Sequence, residues 1–166
     1  MSTDSNNVIV ELQLTAYKYR GQIINDLIHL ERLIDESISR HFCSDAEKKT
    51  ELMELILCNE RISFHSKIQV FQYIFDKHKK EFVSNNLNIF SDIKKLNDER
   101  NIIAHYLLDT SETGKKTFKE TGNIGFVKFR NSTETIWRTN SDYNNYHSLT
   151  VNYIRAIENY LLAADN

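Results

Sequence analysis

The sequence predicts an all-α protein: a bundle of four to five main helices with a small β-hairpin inserted before the last one. Three observations lead there. None of the 166 residues is proline, where ordinary usage of ~5 % would give about eight. Proline marks loops and breaks helices, so its absence suits long helices with short connections. Apolar residues recur at spacings of three and four along most of the chain, the period of one helix face. One stretch, Gly122 to Thr139, turns instead to β-branched and aromatic residues.

Taken in order, Met1 to Asn7 are polar and are expected to fray. A long helix follows, with Ile23, Leu27, Leu30, Ile34 and Ile38 on one face, ending near His41–Ser44. A shorter helix from about Ala46 to Cys58 should turn Leu52, Leu55 and Ile56 inward. Ser63 reads as an N-cap for a helix carrying Phe64, Ile68, Phe71 and Phe75. That helix closes in Lys77, Lys79 and Lys80, cations that complement a helix C-terminus. Val83 to Asn88 reads as a connection, and Ile89, Ile93, Leu96, Ile103 and Leu107 mark the next helix.

Residues 110–140 read as an insertion. Thr110 to Thr121, with Gly114 among Lys, Thr and Glu, has the composition of a loop. Gly122 to Arg130 and Thr133 to Thr139, separated by Asn131–Ser132, read as a β-hairpin. The last helix starts near Ser141 or Asp142, with Tyr146, Leu149, Tyr153, Ile157 and Tyr160 inward.

Composition bounds the class. Hydrophobic content of 40 % and charged content of 27 % suit one globular domain over 1–166. Lys plus Arg number 21 against 23 Asp plus Glu, which argues against a general nucleic-acid coat but leaves room for a local phosphate site. Two cysteines, Cys43 and Cys58, make no disulfide framework. Neither a signal peptide nor a membrane span is legible, so a cytoplasmic protein is expected. No His-Glu-x-x-His, Walker-type loop or Gly-x-Ser-x-Gly occurs. His41, Cys43, Cys58 and His65 match no common zinc spacing, and neither metal nor cofactor is expected.

One position breaks the pattern. In the apolar series 89, 93, 96, 100, 103, 107 the fourth member is Arg100. An arginine in a core stripe needs a partner or an opening. The plain structural account pairs it with a buried carboxylate, Glu31 being the leading candidate, and leaves His105 an ordinary histidine. Lys67 similarly reads as a flank residue covering the core. Five residues turn a helix by about 140°, so Arg100 and His105 do not share a face. Asn97, Asn101 and His105 do. Two such helices across a dimer axis would close a pocket holding two histidines and two arginines.

The string Asp98-Glu99-Arg100-Asn101-Ile102-Ile103-Ala104-His105 resembles the signature of HEPN-domain proteins: Arg, four residues, then His, the first of the four often Asn. Ser63-Phe64-His65-Ser66-Lys67-Ile68 is similar to the start of the preceding helix in HEPN-like bacterial families. The resemblance runs from roughly Gly21 to Leu162. It implies a helical bundle that dimerises with its motif helices facing across the axis. For many members it also implies a metal-independent endoribonuclease, acting as a toxin opposed by an antitoxin or in antiviral defence. Other members only bind RNA or a regulatory protein. Members paired with nucleotidyltransferase-like antitoxins often carry Tyr two residues after the motif His; here Leu107 stands there and the tyrosine is Tyr106.

The chemistry suits these residue types. Histidine can move protons near neutral pH, and the guanidinium fork fits two phosphate oxygens. The expected catalytic residues are Arg100, Asn101 and His105. Asn97, Tyr106, Lys115 and Lys116 are the candidates for touching substrate. Lys119, Lys128, Arg130 and Arg138 add basic charge, and Tyr143, Tyr146 and Trp137 offer rings for unpaired bases; for Trp137, packing on the bundle is the plainer account. The alternatives are a non-catalytic HEPN-like module binding RNA or a protein, and a plain dimerisation domain with Arg100 structural.

Overall fold

The computed structural model describes residues 2–59, 62–128 and 134–163. The fold is all-α with one small sheet. In chain order the elements are α1 (Ser2–Phe42), α2 (Ala46–Leu52) running into a π-helical turn (Met53–Leu57), α3 (Phe64–His78), α4 (Lys80–Asn85), α5 (Ile89–His105), β1 (Leu107–Leu108), α6 (Glu112–Thr121), β2 (Ile124–Val127), β3 (Thr135–Arg138) and α7 (Asn140–Ala163).

The chain divides into two compact units. The first comprises Met1–Asn25 and Asp98–Ser148 and holds the sheet, ordered β1-β2-β3 and antiparallel throughout. Leu107 faces Val127, and Gly125 faces Trp137. Its core is Leu12, Ala16, Ile23, Ile103, Ile124, Phe126 and Tyr143. The hairpin is therefore present and gains a third strand from Leu107–Leu108. Leu107 leaves the helical series and is exposed, because α5 stops at His105. The turn at Asn131–Ser132 and Arg130 lie outside the described residues.

Residues 112–121 form a helix where composition suggested a loop. Ser111 is its N-cap, its hydroxyl accepting from the Gly114 N–H at 3.1 Å. Gly122 closes it at φ 72°, a left-handed position that favours glycine, with its N–H on the Phe118 carbonyl at 2.8 Å. Similarly, α1 begins at Ser2, so the polar N-terminus continues the helix instead of fraying.

The second unit comprises Asp26–Asn97 and Leu149–Asn166. Leu27, Leu30, Ile34 and Ile38 of α1 pack there with Ile68, Phe71, Ile74 and Phe75 of α3, Ile89, Ile93 and Leu96 of α5, and Ile154, Ile157 and Leu161 of α7. Ser63 caps α3 as expected, its hydroxyl accepting from the Ser66 N–H at 3.2 Å.

Three expectations are corrected in this unit. The π-helical turn holds a residue more than an α turn, and it buries Leu57 while leaving Leu55 and Ile56 exposed. A short helix, α4, takes in the first half of the expected connection, Val83 to Asn85. On α7 Thr150, Ile154, Ile157 and Leu161 are buried, while Leu149, Tyr153 and Tyr160 stay partly exposed. The tyrosines lie at the border of the core because their hydroxyls seek polar partners: that of Tyr153 donates to Asp92 Oδ2 at 2.7 Å.

Candidate functional site

In the first unit the Asn101 to His105 turn ends α5. Arg100 is half-buried, Asn101 is half-buried and His105 is exposed. The Arg100 guanidinium donates from Nη1 to Asn101 Oδ1 at 3.2 Å. Side chains one residue apart do not ordinarily face each other on a helix. Arg100 thus bends out of the apolar stripe toward the face that Asn101 and His105 share. Among the described residues no carboxylate lies within ion-pair distance of Arg100. The expected partner, Glu31, instead belongs to Lys67 in the second unit, Oε1 to Nζ 2.6 Å. Lys67 is correspondingly no flank residue: it is buried between Glu31 and Asp35.

The remaining candidates fall into three groups. Asn97 is the last α5 residue of the second unit and is buried. Tyr106 is half-buried, and its backbone carbonyl accepts from Arg20 Nη2 at 2.7 Å. Lys115 and Lys116 lie on α6, the first paired with Glu112 and the second 3.9 Å from Glu120. Each lysine thus has a carboxylate beside it.

Two contacts support the end of α5 that sequence reasoning did not single out. Arg20 holds the Tyr106 carbonyl and stands 5.4 Å over the Phe126 ring. Its signal was available: Leu12, Ala16, Arg20, Ile23 and Leu27 form one apolar series with a cation inside it, the same interruption that marks Arg100. Arg138 grips Glu99 with two hydrogen bonds, Nε to Oε2 at 2.8 Å and Nη2 to Oε1 at 2.6 Å. Those bonds hold the Arg138 guanidinium above its ordinary range, despite its burial. Arg138 is therefore committed to Glu99, the residue before Arg100.

The aromatic candidates divide. Tyr143 is buried and stacked on Tyr19, ring centroids 3.9 Å apart, so it is no exposed platform for a base. Burial pushes its hydroxyl well above the usual tyrosine range. Trp137 is half-buried, and its ring lies close over Gly125 on the neighbouring strand. Tyr146 is half-buried.

No family model, no curated protein and no solved structure matches the chain. Among the described residues no three His, Cys, Asp or Glu side chains stand together as a metal site, and no helix is long and apolar enough to cross a membrane.

The arrangement offers one permanent cation, one amide and one exposed imidazole within two turns of helix. A guanidinium with no carboxylate in ion-pair distance among the described residues is able to receive a phosphate, and an exposed imidazole stands near it.

Proposed function

We propose that this protein is a metal-independent endoribonuclease of the HEPN type, acting as a toxin or antiviral defence factor in the cytoplasm. The observation that carries the reading is Arg100: a cation in a core stripe, with no carboxylate partner among the described residues, hydrogen-bonded to Asn101 and five residues from exposed His105. The free thiols of Cys43 and Cys58 suit a reducing compartment.

In this reading His105 removes the proton from a ribose 2′-hydroxyl. The 2′-oxygen attacks phosphorus and forms a new P–O bond. Arg100 holds the non-bridging oxygens as negative charge grows on them. The bond from phosphorus to the 5′-oxygen breaks, and that oxygen takes a proton from His105 of a second copy or from the same residue, now protonated. The products are a 2′,3′-cyclic phosphate and a free 5′-hydroxyl. Asn101 orients Arg100. The homodimer brings two such helix ends to one RNA strand.

The test is cleavage of total and transfer RNA by the purified protein in excess EDTA, beside folded His105→Ala and Arg100→Ala variants. The expected result is cutting by the wild type, none by His105→Ala, weaker cutting and binding by Arg100→Ala, and 2′,3′-cyclic ends. Full activity in a folded His105→Ala protein would falsify the assignment.

One observation favours a second reading, a non-catalytic module for a protein partner such as an antitoxin. Lys115 and Lys116 have acidic neighbours on their own helix, and the whole chain carries a net charge of −2, so the general attraction for RNA is small. A folded wild type that cuts no RNA and retains no labelled RNA on a filter would move the assignment there.

A further inference from the structure

The second unit holds a cavity of about 670 Å³, within the range of small-molecule sites. The end of α1, the start of α2, the segment joining α3 to α4 and the last turns of α7 form its walls. Three cations reach it from well-separated places in the sequence: Arg40 on α1, Lys49 on α2 and Lys79 after α3. His41 lines it as well, with its ring centroid 4.9 Å from that of His78. Like charges drawn into one hollow repel, and exposed lysines have ample surface on which to stay apart.

Arg40 is engaged with Glu36 and also donates from Nη1 to the Leu161 carbonyl at 3.2 Å, but among the described residues the two lysines share less than a full carboxylate each. Glu36 serves two cations with one oxygen: its Oε1 is 2.6 Å from Arg40 Nε and 3.2 Å from Lys49 Nζ. Asp45 lines the cavity, but its Oδ1 accepts from the Lys48 N–H at 3.0 Å as the cap of α2. Among the described residues no carboxylate lies within ion-pair distance of Lys79, whose ammonium stands 5.5 Å from the Tyr160 ring centroid. At His41, burial and then the charges of His78, Lys79 and Lys77 hold the imidazole below the ordinary 6.5. Burial would raise the Glu36 carboxyl, yet Arg40 and Lys49 keep it low and charged.

We propose that this cavity binds a small ligand through a phosphate group, anchored by Lys79, Lys49 and Arg40. A carboxylate ligand would carry one charge and duplicate what Glu36 already supplies. A phosphate monoester carries close to two charges and presents three oxygens in different directions, which suits cations arriving from three elements. Ile74, Phe75 and Tyr160 form a less polar wall for the organic part. The site is built wholly from the second unit and does not depend on the ribonuclease reading of Arg100 and His105.

The experiment is titration calorimetry of the full chain at fixed ionic strength with inorganic phosphate and with phenyl phosphate. Saturable one-to-one binding is expected. Lys79→Gln and Lys49→Gln should each weaken it about tenfold, the usual effect of one lost charge-assisted contact. Lys18→Gln, an exposed lysine of the first unit, should leave it unchanged. Tighter binding of phenyl phosphate would mean that the organic part is seated on the apolar wall; equal binding would mean that the phosphate group alone is read. Circular dichroism checks the folding of each variant. Lys79 makes no ion pair among the described residues, so Lys79→Gln keeps the test decisive even where Lys49→Gln fails to fold. No saturable heat at millimolar ligand, or an affinity that folded Lys79→Gln leaves untouched, overturns the proposal.

Discussion

Lys67 and Asp35 are buried against each other, Nζ to Oδ2 2.8 Å, with 4 % and 2 % of their surfaces exposed. Glu31 completes the cluster from one turn earlier on α1. One cation thus serves two carboxylates, and Oδ1 of Asp35 is buried with no hydrogen-bond partner. Burial pushes the Asp35 carboxyl up from its ordinary 3.8 to about 6, against the hydrogen bond and charge of Lys67 and with a further push from Glu31.

A pH dependence of stability follows, with a definite sign. Between pH 4 and 6 the folded chain holds a proton on Asp35 that the unfolded chain has released, so this group makes the fold more stable as pH falls through that window. Burial pulls the Lys67 ammonium down, but Asp35 and Glu31 raise it above its usual 10.5, so it stays charged throughout. Wild type should gain stability relative to Asp35→Asn as pH drops from 7 to 4, by about 2 kcal/mol, the rest of the effect of such a shift arriving below pH 4. Urea unfolding of both proteins across that range measures it. A constant difference would contradict the buried, proton-binding Asp35.

Removing the cation should be severe. Lys67→Met leaves two carboxylates near one another in the interior, a change expected to cost about 3–5 kcal/mol at neutral pH. The loss should shrink in acid, where Asp35 is protonated. Comparable stability of the variant and wild type at pH 7 would show that the cluster is not held as described.

Two glycines separate by what stands next to them. A Cβ at Gly114 would meet the backbone oxygen of Asp109 at 2.3 Å, whereas one at Gly125 would meet side chains of Thr135 and Trp137 at 2.9 Å. Backbone yields less readily than side chain, so Gly114→Ala should destabilise more than Gly125→Ala. Overpacking typically costs about 1–3 kcal/mol, and Gly114→Ala should lie at or above the upper end. Thermal unfolding ranks the pair, and a neutral Gly114→Ala would refute the close approach of α6 to Asp109.

The Glu99–Arg138 pair should matter for the end of α5. Both side chains are largely buried and doubly hydrogen-bonded. Arg138→Met should cost about 2–3 kcal/mol by leaving the largely buried Glu99 carboxylate without its cation, with the Tyr146 hydroxyl still bonded to it. Hydrogen exchange should quicken over β3 and the last turns of α5. Unchanged protection there would mean that the pair does not anchor the helix.

The sequence made the long-range architecture legible where side-chain character was unambiguous. Ile23, Leu27, Leu30, Ile34 and Ile38 are all buried, and α5 starts at Ile89, the first residue of its apolar series. Amphipathic residues blurred the rest. Tyrosines counted as core turned the expected face of α7 away from Thr150, Ile154 and Leu161. Helix α6 lacks an apolar stripe, and its signals were its ends, Ser111 and Gly122, rather than its middle. Arg100 was visible as a charge out of place, but its bend onto Asn101 was not, because periodicity fixes where a side chain is rooted and not where a long one reaches. Lys67 was missed for the same reason: the residues beside it in sequence say nothing of Glu31 and Asp35, more than thirty positions away.

The π-helical turn Met53–Leu57 bears on how this chain tolerates change in length. Such a turn is an α-helix that has accepted one additional residue without disturbing the segments on either side. Deleting Glu54 would let the turn relax into ordinary α geometry, with Lys49 and Leu57 keeping their bearings. The same deletion from the middle of α3 would rotate every later residue of that helix by about 100° and carry Phe71 and Phe75 out of the interior. The end of α2 is thus a place where the gene can lose a codon and the protein can keep its shape.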